Sequence, residues 1–173
     1  MKKFLILGLL LLTIITGAWI FLRDHRNIST RVTTSDFDAF SNASLLNYQG
    51  NEVSLETFRG QPLVINSWAV WCPFCRKELP DFAQLQKEFA DEVVVIAIDR
   101  RESLEKAKSY TDELGITDDM VFLLDPSDSF YKSIGGFSMP ETIFVNNKGE
   151  IMVHKRGPME LDEMREHTNN LIK

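Results

Sequence analysis

Hydrophobic positions along the chain form short apolar runs and one longer stretch of helical periodicity, separated by polar breaks. Three runs, LVINSW (residues 63–68), VVVIAID (93–99) and MVFLLD (120–125), have the composition that is typical of buried strands. Between the first two, apolar residues recur at helical spacing from 73 to 89, with charged residues between them, which predicts an amphipathic helix. The alternation of strand and helix predicts an α/β fold.

Shorter segments complete the predicted order of elements. LLNYQGNEVSL and TIFVNNKGEIMVHK each have apolar positions on both sides of a polar, glycine-containing turn, so each predicts a hairpin. A helix over residues 102–114 is expected to end at Gly115, because glycine readily adopts the left-handed conformation of a C-cap. Together with a last helix over residues 160–172, these elements predict a central mixed sheet flanked by helices and preceded by an N-terminal hairpin.

The N-terminal segment has a different pattern. An uncharged stretch of 19 residues runs from Phe4 to Leu22, and at about 1.5 Å per residue it is long enough to cross a hydrocarbon core of about 30 Å. We expect a single transmembrane helix. The alternatives are a buried soluble helix and a cleaved signal peptide, since small residues stand at 16–18, although the run exceeds the usual signal core. The predicted organisation is an anchor or uncleaved signal (1–26), a polar linker (27–44) and a domain (45–173).

The charge of the chain excludes some classes of partner. The formal net charge is −6, and residues 1–26 hold four basic side chains and one acidic side chain, so the remainder carries −9. A domain this acidic is not expected to bind nucleic acid or to lie flat on an anionic lipid surface.

The only two cysteines, Cys72 and Cys75, lie where the first strand is expected to pass into the helix. A helix N-terminus favours a thiolate, and Pro73 suits the first helical position, so Cys72 is the expected nucleophile and Cys75 the resolving thiol. The alternatives are a zinc half-site or two inert thiols. Zinc needs about four ligands, and the only histidines are scattered along the chain, at His25, His154 and His167.

Two motifs, VINSWAVWCPFCRKELP and SMPETIFVNNKGEI, resemble the thioredoxin superfamily, and within it the membrane-anchored bacterial TlpA/ResA/CcmG (DsbE) branch. The resemblance extends from about residue 45 to residue 172. It implies a thioredoxin-like fold and thiol–disulfide exchange that uses no cofactor beyond the Cys72–Cys75 disulfide. It also implies that Pro140 follows a cis peptide bond and that the backbone of Met139 pairs with a substrate peptide; the alternative for Pro140 is an ordinary trans turn.

Three further residues have expected roles through the same resemblance. Glu78, three residues after the second cysteine, is expected to take the proton from Cys75, and its alternative is a surface ion pair with a lysine or arginine. Trp71 is expected either on the substrate surface or in packing. Glu141, directly after Pro140, recurs in the CcmG-like subset, and its role stays open.

The function implied by the resemblance is that of a reductase outside the cytoplasm, where oxidation is the default and electrons must be supplied. The expected location is the bacterial cytoplasmic membrane, crossed once, with the domain facing the periplasm or cell exterior. The expected partners are protein disulfides, with the haem-site cysteines of apocytochrome c as the leading candidate, and a membrane electron donor of the DsbD or CcdA type. The alternatives are a DsbA-like oxidase or isomerase and, from a different class, a Sco-like metal chaperone, whose CxxxC spacing is one residue longer.

Overall fold

A computed structural model describes residues 36–173 of the chain. The predicted anchor and the first part of the predicted linker lie outside the described residues. Within the described part, no helix combines the length and the apolar character that a membrane crossing requires. The helices are α1 (Asp36–Phe40), α2 (Pro73–Phe89), α3 (Leu104–Leu114), α4 (Ser129–Ser133) and α5 (Leu161–Leu171), with short 3-10 turns at Leu55–Phe58 and Ala90–Glu92.

Seven strands form one mixed sheet in the order β2-β1-β5-β4-β3-β6-β7. The central strand β3 pairs in parallel with β4 and antiparallel with β6, and β4 pairs in parallel with β5. An antiparallel hairpin lies at each edge of the sheet, β1–β2 at one edge and β6–β7 at the other. The strands are β1 (Leu45–Asn47), β2 (Glu52–Val53), β3 (Leu63–Trp68), β4 (Val94–Arg100), β5 (Val121–Asp125), β6 (Glu141–Val145) and β7 (Ile151–Arg156).

Side chains of the buried central strands alternate between two hydrophobic clusters, one on each face of the sheet. On β3, Val64 and Trp68 lie in the cluster that also contains Leu79 and Phe82 of α2, whereas Leu63 points into the opposite cluster. The second cluster contains aromatic residues of α1 and α4. Burial on both faces explains why β3 is mostly apolar. It also fixes the position of β3, whose C-terminal end leads into the segment that contains the cysteines.

The helix α1 lies within the predicted linker and packs against the core of the domain. Its Phe37 and Phe40 are 2% and 1% exposed and pack edge to face at 5.1 Å between ring centroids. Phe40 also contacts Phe130 of α4, a helix that the sequence pattern did not predict. Both helices are only five residues long, too short to show helical periodicity.

Candidate active site

The two cysteines lie at the junction between β3 and α2 and form a disulfide with an S–S distance of 2.14 Å. Cys72 is the N-cap of α2, and its sulfur accepts a hydrogen bond from the backbone N–H of Cys75 at 3.1 Å. Pro73 occupies the first turn, as the sequence predicts. Cys72 and Cys75 are 2% and 0% exposed, so both side chains are buried in the disulfide form. The N-cap position of Cys72 places the nucleophile at the positive end of the helix dipole.

The segment before Cys72 is held by a pair of acidic side chains that the sequence analysis did not single out. The backbone N–H of Val70 donates to Oε2 of Glu102 at 2.5 Å, and the backbone N–H of Glu102 donates to Oδ1 of Asp99 at 3.1 Å. Asp99 is fully buried. Burial, and after it the adjacent Glu102 carboxyl, raise the pKa of Asp99. Asp99 therefore favours its protonated form more strongly than an exposed aspartate does.

The loop before β6, the strand that pairs with β3, contains the expected proline. The Met139–Pro140 peptide bond is cis, as the resemblance implies. Pro140 is buried, and Met139 packs against the hydrophobic cluster that contains both cysteines. The Tyr131 hydroxyl donates to the carbonyl of Ser138 at 2.7 Å. We refer to residues 137–140 as the cis-proline loop.

Glu141, whose role the sequence left open, organises this loop. Its Oε1 accepts hydrogen bonds from the backbone N–H groups of Phe137 at 2.6 Å and Ser138 at 2.5 Å, and its Oε2 lies 2.7 Å from Nε2 of His154. Glu141 is fully buried. Burial raises its pKa, but the hydrogen bonds from Ser138, Phe137 and His154 outweigh that effect, and the pKa is lowered. A buried carboxylate therefore fixes the backbone of the cis-proline loop.

Glu78 is buried, so the alternative of a surface ion pair is wrong. It is 2% exposed and accepts hydrogen bonds from Nδ2 of Asn66 at 3.0 Å and from the backbone N–H of Met159 at 3.1 Å. The same Asn66 amide group donates to the Thr142 hydroxyl at 3.0 Å. Burial raises the pKa of Glu78 to about 7, although the bonds from Met159 and Asn66 oppose the shift.

The position of Glu78 suits proton exchange with the Cys75 thiol of the reduced form. It follows Cys75 by three residues on α2 and so shares a helix face with it. A carboxyl group with a pKa of about 7 is evenly divided between its acid and base forms at neutral pH. Asn66 positions this carboxyl group through the hydrogen bond that its Nδ2 donates.

Aromatic side chains surround the cysteines on the protein surface. Trp71 is 57% exposed and Phe74 is 58% exposed, whereas Trp68 is fully buried. The packing alternative for Trp71 therefore does not fit its exposure, and Trp68 takes the packing role. Phe137, in the cis-proline loop, is 85% exposed. The sequence analysis missed it, and its position three residues before Pro140 was the available signal. Large exposed aromatics at one site are typical of a surface that binds another chain.

The chemistry of the site is that of a dithiol. Within residues 36–173, no group of three or more histidine, cysteine, aspartate or glutamate side chains is arranged to hold a metal ion. When reduced, the cysteine pair can supply a nucleophile, the cis-proline loop a surface for the reacting chain, and the buried carboxyl group, with a pKa of about 7, a proton acceptor.

Comparison with known proteins agrees with this geometry. Residues 34–172 match the family model described as Redoxin. Thioredoxin-like protein YneN of Bacillus subtilis (strain 168) is 32% identical over 124 residues, which cover 71% of this chain and 72% of that protein. Thiol-disulfide oxidoreductase ResA of Halalkalibacterium halodurans is 29% identical over 134 residues, covering 76% of this chain and 74% of the relative.

Solved structures support the fold. The structure described as MTB dsbF in its mixed oxidized and reduced forms superposes with a TM-score of 0.71 at 24% identity, and the match covers 77% of this chain and 97% of that one. The thioredoxin-like fold expected from the two motifs is confirmed, and so is the resemblance to the ResA-like branch.

Proposed function

The chain belongs to the Redoxin family and is a thiol–disulfide oxidoreductase of the ResA type, and from this premise we propose that it is a membrane-tethered reductase of protein disulfides outside the cytoplasm. The observation that carries the proposal is the Cys72–Cys75 disulfide at the N-terminus of α2, with the cis-proline loop and the buried Glu78 beside it. Each part has a distinct task in dithiol exchange.

The reaction starts from the reduced dithiol. The Cys72 thiolate attacks one sulfur of a substrate disulfide, which forms a mixed disulfide and releases the other substrate sulfur as a thiolate that takes up a proton. Glu78 accepts the proton of the Cys75 thiol, and the Cys75 thiolate attacks the sulfur of Cys72. The substrate leaves as a dithiol with two electrons gained, and the protein is left with the Cys72–Cys75 disulfide.

The exposed aromatic surface and the cis-proline loop supply the docking site in this mechanism. Trp71, Phe74 and Phe137 offer apolar contacts to a substrate segment. The backbone of Met139 pairs with that segment, and Glu141 keeps the loop in the conformation that presents this backbone. Protein substrates suit this surface, since it is broad and lined by large side chains.

Three features of the proposal concern its cellular setting. The uncharged run from Phe4 to Leu22 supports a single-pass anchor in the bacterial cytoplasmic membrane, with the domain on the periplasmic or outer side. One dithiol delivers two electrons and must then be reduced again, which calls for a membrane electron donor of the DsbD or CcdA type. Tethering raises the local concentration of membrane-bound partners, and the haem-site thiols of apocytochrome c are the leading candidate substrate.

The test is the reduction potential of the chain without residues 1–26, measured by equilibration with a thiol redox buffer. A reductase is expected to have a potential near or below about −230 mV. A potential near about −120 mV would instead indicate a DsbA-like oxidase and would overturn the proposed direction of electron flow. Tight stoichiometric copper binding by the reduced protein would favour the metal-chaperone alternative.

A further inference from the structure

A pocket of about 580 Å³ opens beside the active site on the side of Trp71, the residue that precedes Cys72. It lies where the C-terminal end of β4 meets the start of α3. Three of its residues are basic and one is acidic, and we refer to it as the basic pocket. It is lined by Trp71, Arg100, Arg101, Glu102, Ser103 and Lys106.

Two of the three cations are already paired. Arg100 makes a two-pronged ion pair with Asp128, with Nε–Oδ1 and Nη2–Oδ2 distances of 2.7 and 2.6 Å, and its guanidinium lies 3.4 Å from the ring centroid of Tyr131. Lys106 pairs with Glu102, the carboxylate that also holds the segment before Cys72. Both cations are therefore neutralised by carboxylates, and the positive charge that remains at the pocket is that of Arg101.

Arg101 is the exception. Its side chain is exposed, and within residues 36–173 it has no ion pair. The backbone is fixed, since the N–H of Arg101 donates to the carbonyl of Asp125 at 3.2 Å with φ at 60°. A non-glycine residue in this left-handed region is uncommon, and Arg101 lines the pocket together with Trp71.

The opposite side of the disulfide has the reverse charge. A smaller pocket of about 180 Å³ adjoins Phe74, the residue between Pro73 and Cys75, and three carboxyl groups and one ammonium group line it: Glu78, Asp81, Glu160 and Lys77. The Lys77 ammonium is paired with Glu160 at 2.9 Å. The two sides of the reactive sulfurs therefore present opposite charges to a chain that crosses them, although the domain as a whole is acidic.

We propose that the basic pocket binds a carboxylate side chain of the substrate protein next to its reacting cysteine, with Arg101 as the contacting residue. This inference rests on the proposed function, and it names a charge preference for the substrate of the same site. The arginine guanidinium matches a carboxylate in a two-pronged geometry. An acidic residue of the substrate is attracted when it lies on the Trp71 side of the disulfide. The same residue on the Phe74 side lies near carboxyl groups and is not attracted.

The test uses short peptides that carry a mixed disulfide on one cysteine, with glutamate either directly before or directly after that cysteine, and matched glutamine peptides. The second-order rate of their reduction by the dithiol protein is measured by stopped-flow fluorescence. The peptide with glutamate at one of the two positions is expected to react about five- to tenfold faster than its glutamine match. The peptide with glutamate at the other position is expected to show no such advantage over its own match. Raising the salt concentration is expected to reduce the preference.

Variants of Arg101 connect the preference to the pocket. In Arg101→Gln the glutamate-to-glutamine ratio is expected to fall close to one. Arg101→Gly is expected to do the same, and because glycine suits a φ of 60°, loss of the ratio there cannot be ascribed to a damaged fold. The matched control is Lys148→Gln, which removes one exposed positive charge in the β6–β7 turn, at the opposite end of β6 from Pro140, and is expected to keep the ratio.

The outcomes separate this inference from the proposed function. Equal rates for glutamate and glutamine peptides at both positions would overturn the charge preference while leaving the reductase intact. A preference that survives in both Arg101 variants would also overturn it. Failure of every peptide to be reduced would overturn the proposed function, and the substrate preference with it.

Discussion

Glu78 combines two properties that a single surface carboxylate does not have. Its side chain is buried, and the hydrogen bonds from Asn66 and Met159 leave it oriented on the same helix face as Cys75. Because burial brings its pKa to about 7, it holds and releases a proton in the range where the protein works. This is a property of the fold, since the sequence shows only a glutamate three positions after a cysteine.

Replacing Glu78 with glutamine tests its role as proton acceptor. In Glu78→Gln we expect the reduction of a peptide disulfide at pH 7 to slow by about tenfold or more, because general base catalysis contributes roughly 10²–10⁴ to such steps. The deficit is expected to shrink as pH rises, since solvent then takes the proton. Stopped-flow rates between pH 5 and 9 measure both effects. The control is Glu88→Gln, an exposed position near the far end of α2; an unchanged pH profile in Glu78→Gln would remove the proposed role.

Glu141 shows how a single buried carboxylate can determine a loop. It accepts two backbone N–H groups of the cis-proline loop and lies against His154. In Glu141→Gln we expect a loss of about 1.5–3 kcal/mol in the free energy of unfolding, because charge-assisted bonds in a buried site are replaced by weaker ones. Hydrogen exchange at the amides of Phe137 and Ser138 is expected to accelerate in the folded protein.

The comparison amide for that experiment is Gly149, which donates to the carbonyl of Asn146 in a turn that Glu141 does not contact. Its exchange is expected to stay as in the unmodified protein when measured under conditions where the whole domain does not unfold. Equal acceleration at all three amides would mean that the substitution loosens the domain and does not act on the cis-proline loop.

At the scale of elements, the cis-proline loop depends on α4 as well as on β6. Tyr131 of α4 donates its hydroxyl to Ser138, and its ring supports the guanidinium of Arg100. A β-carbon on Gly136 would lie 2.4–2.5 Å from atoms of the Tyr131 ring, closer than such atoms approach in proteins. The absence of a side chain at Gly136 therefore lets α4 pack against the loop.

Substituting Gly136 tests this coupling. In Gly136→Ala the Tyr131 ring must move, and we expect a loss of about 1–3 kcal/mol in stability together with slower reduction of peptide substrates. Urea unfolding and stopped-flow rates give the two quantities. Gly50→Ala is the matched control, because Gly50 has a φ of 80° and open space around it in the β1–β2 turn; it is expected to lower stability by about 1 kcal/mol without slowing exchange. Equal rate losses in both variants would contradict the coupling.

The elements that the sequence predicted correctly are those with a strong local signal. β3 is buried on both faces and begins with three apolar residues, and α2 shows helical spacing over 17 residues. By contrast, α1 is short and lies within a polar stretch, so its two phenylalanines gave no periodicity. Its place in the core depends on contacts with α4, which are distant in sequence.

At the scale of the whole molecule, the residues of the active site also fall into those that the sequence predicts and those that it does not. The cysteines and Pro140 were recognisable from motifs, because their chemistry requires particular residues at fixed spacing. The contact of Glu102 with Val70, and that of Glu141 with His154, were not. These contacts join strands and loops whose relative position is set by the sheet order, and no local pattern reports that order.

Buried carboxyl groups also affect the stability of the domain as a whole. The pKa of Glu78 in the folded protein is about 7, against an ordinary value of 4.5, and the pKa of Asp99 is raised in the same direction. A raised pKa means that the folded state binds the proton more tightly than the unfolded chain. The resulting stabilisation is complete below the unfolded pKa and is lost as pH rises through the folded value. The carboxyls of Asp128 and Glu141, whose pKa values are lowered, act in the opposite direction at more acidic pH.

We therefore expect the oxidised domain to be most stable near about pH 5 and to lose up to about 3 kcal/mol through Glu78 by pH 8, since each unit of pKa shift corresponds to about 1.4 kcal/mol. Urea unfolding at pH 5 and pH 8, with the disulfide intact in both, measures the difference. Glu78→Gln cannot titrate, so its stability is expected to fall less over the same range. If the unmodified domain were equally stable at both values, the carboxyl of Glu78 would have to ionise at its ordinary pKa. A proton acceptor poised at neutral pH would then be excluded, because the same shift in pKa underlies both the loss of stability and the proposed proton transfer from Cys75.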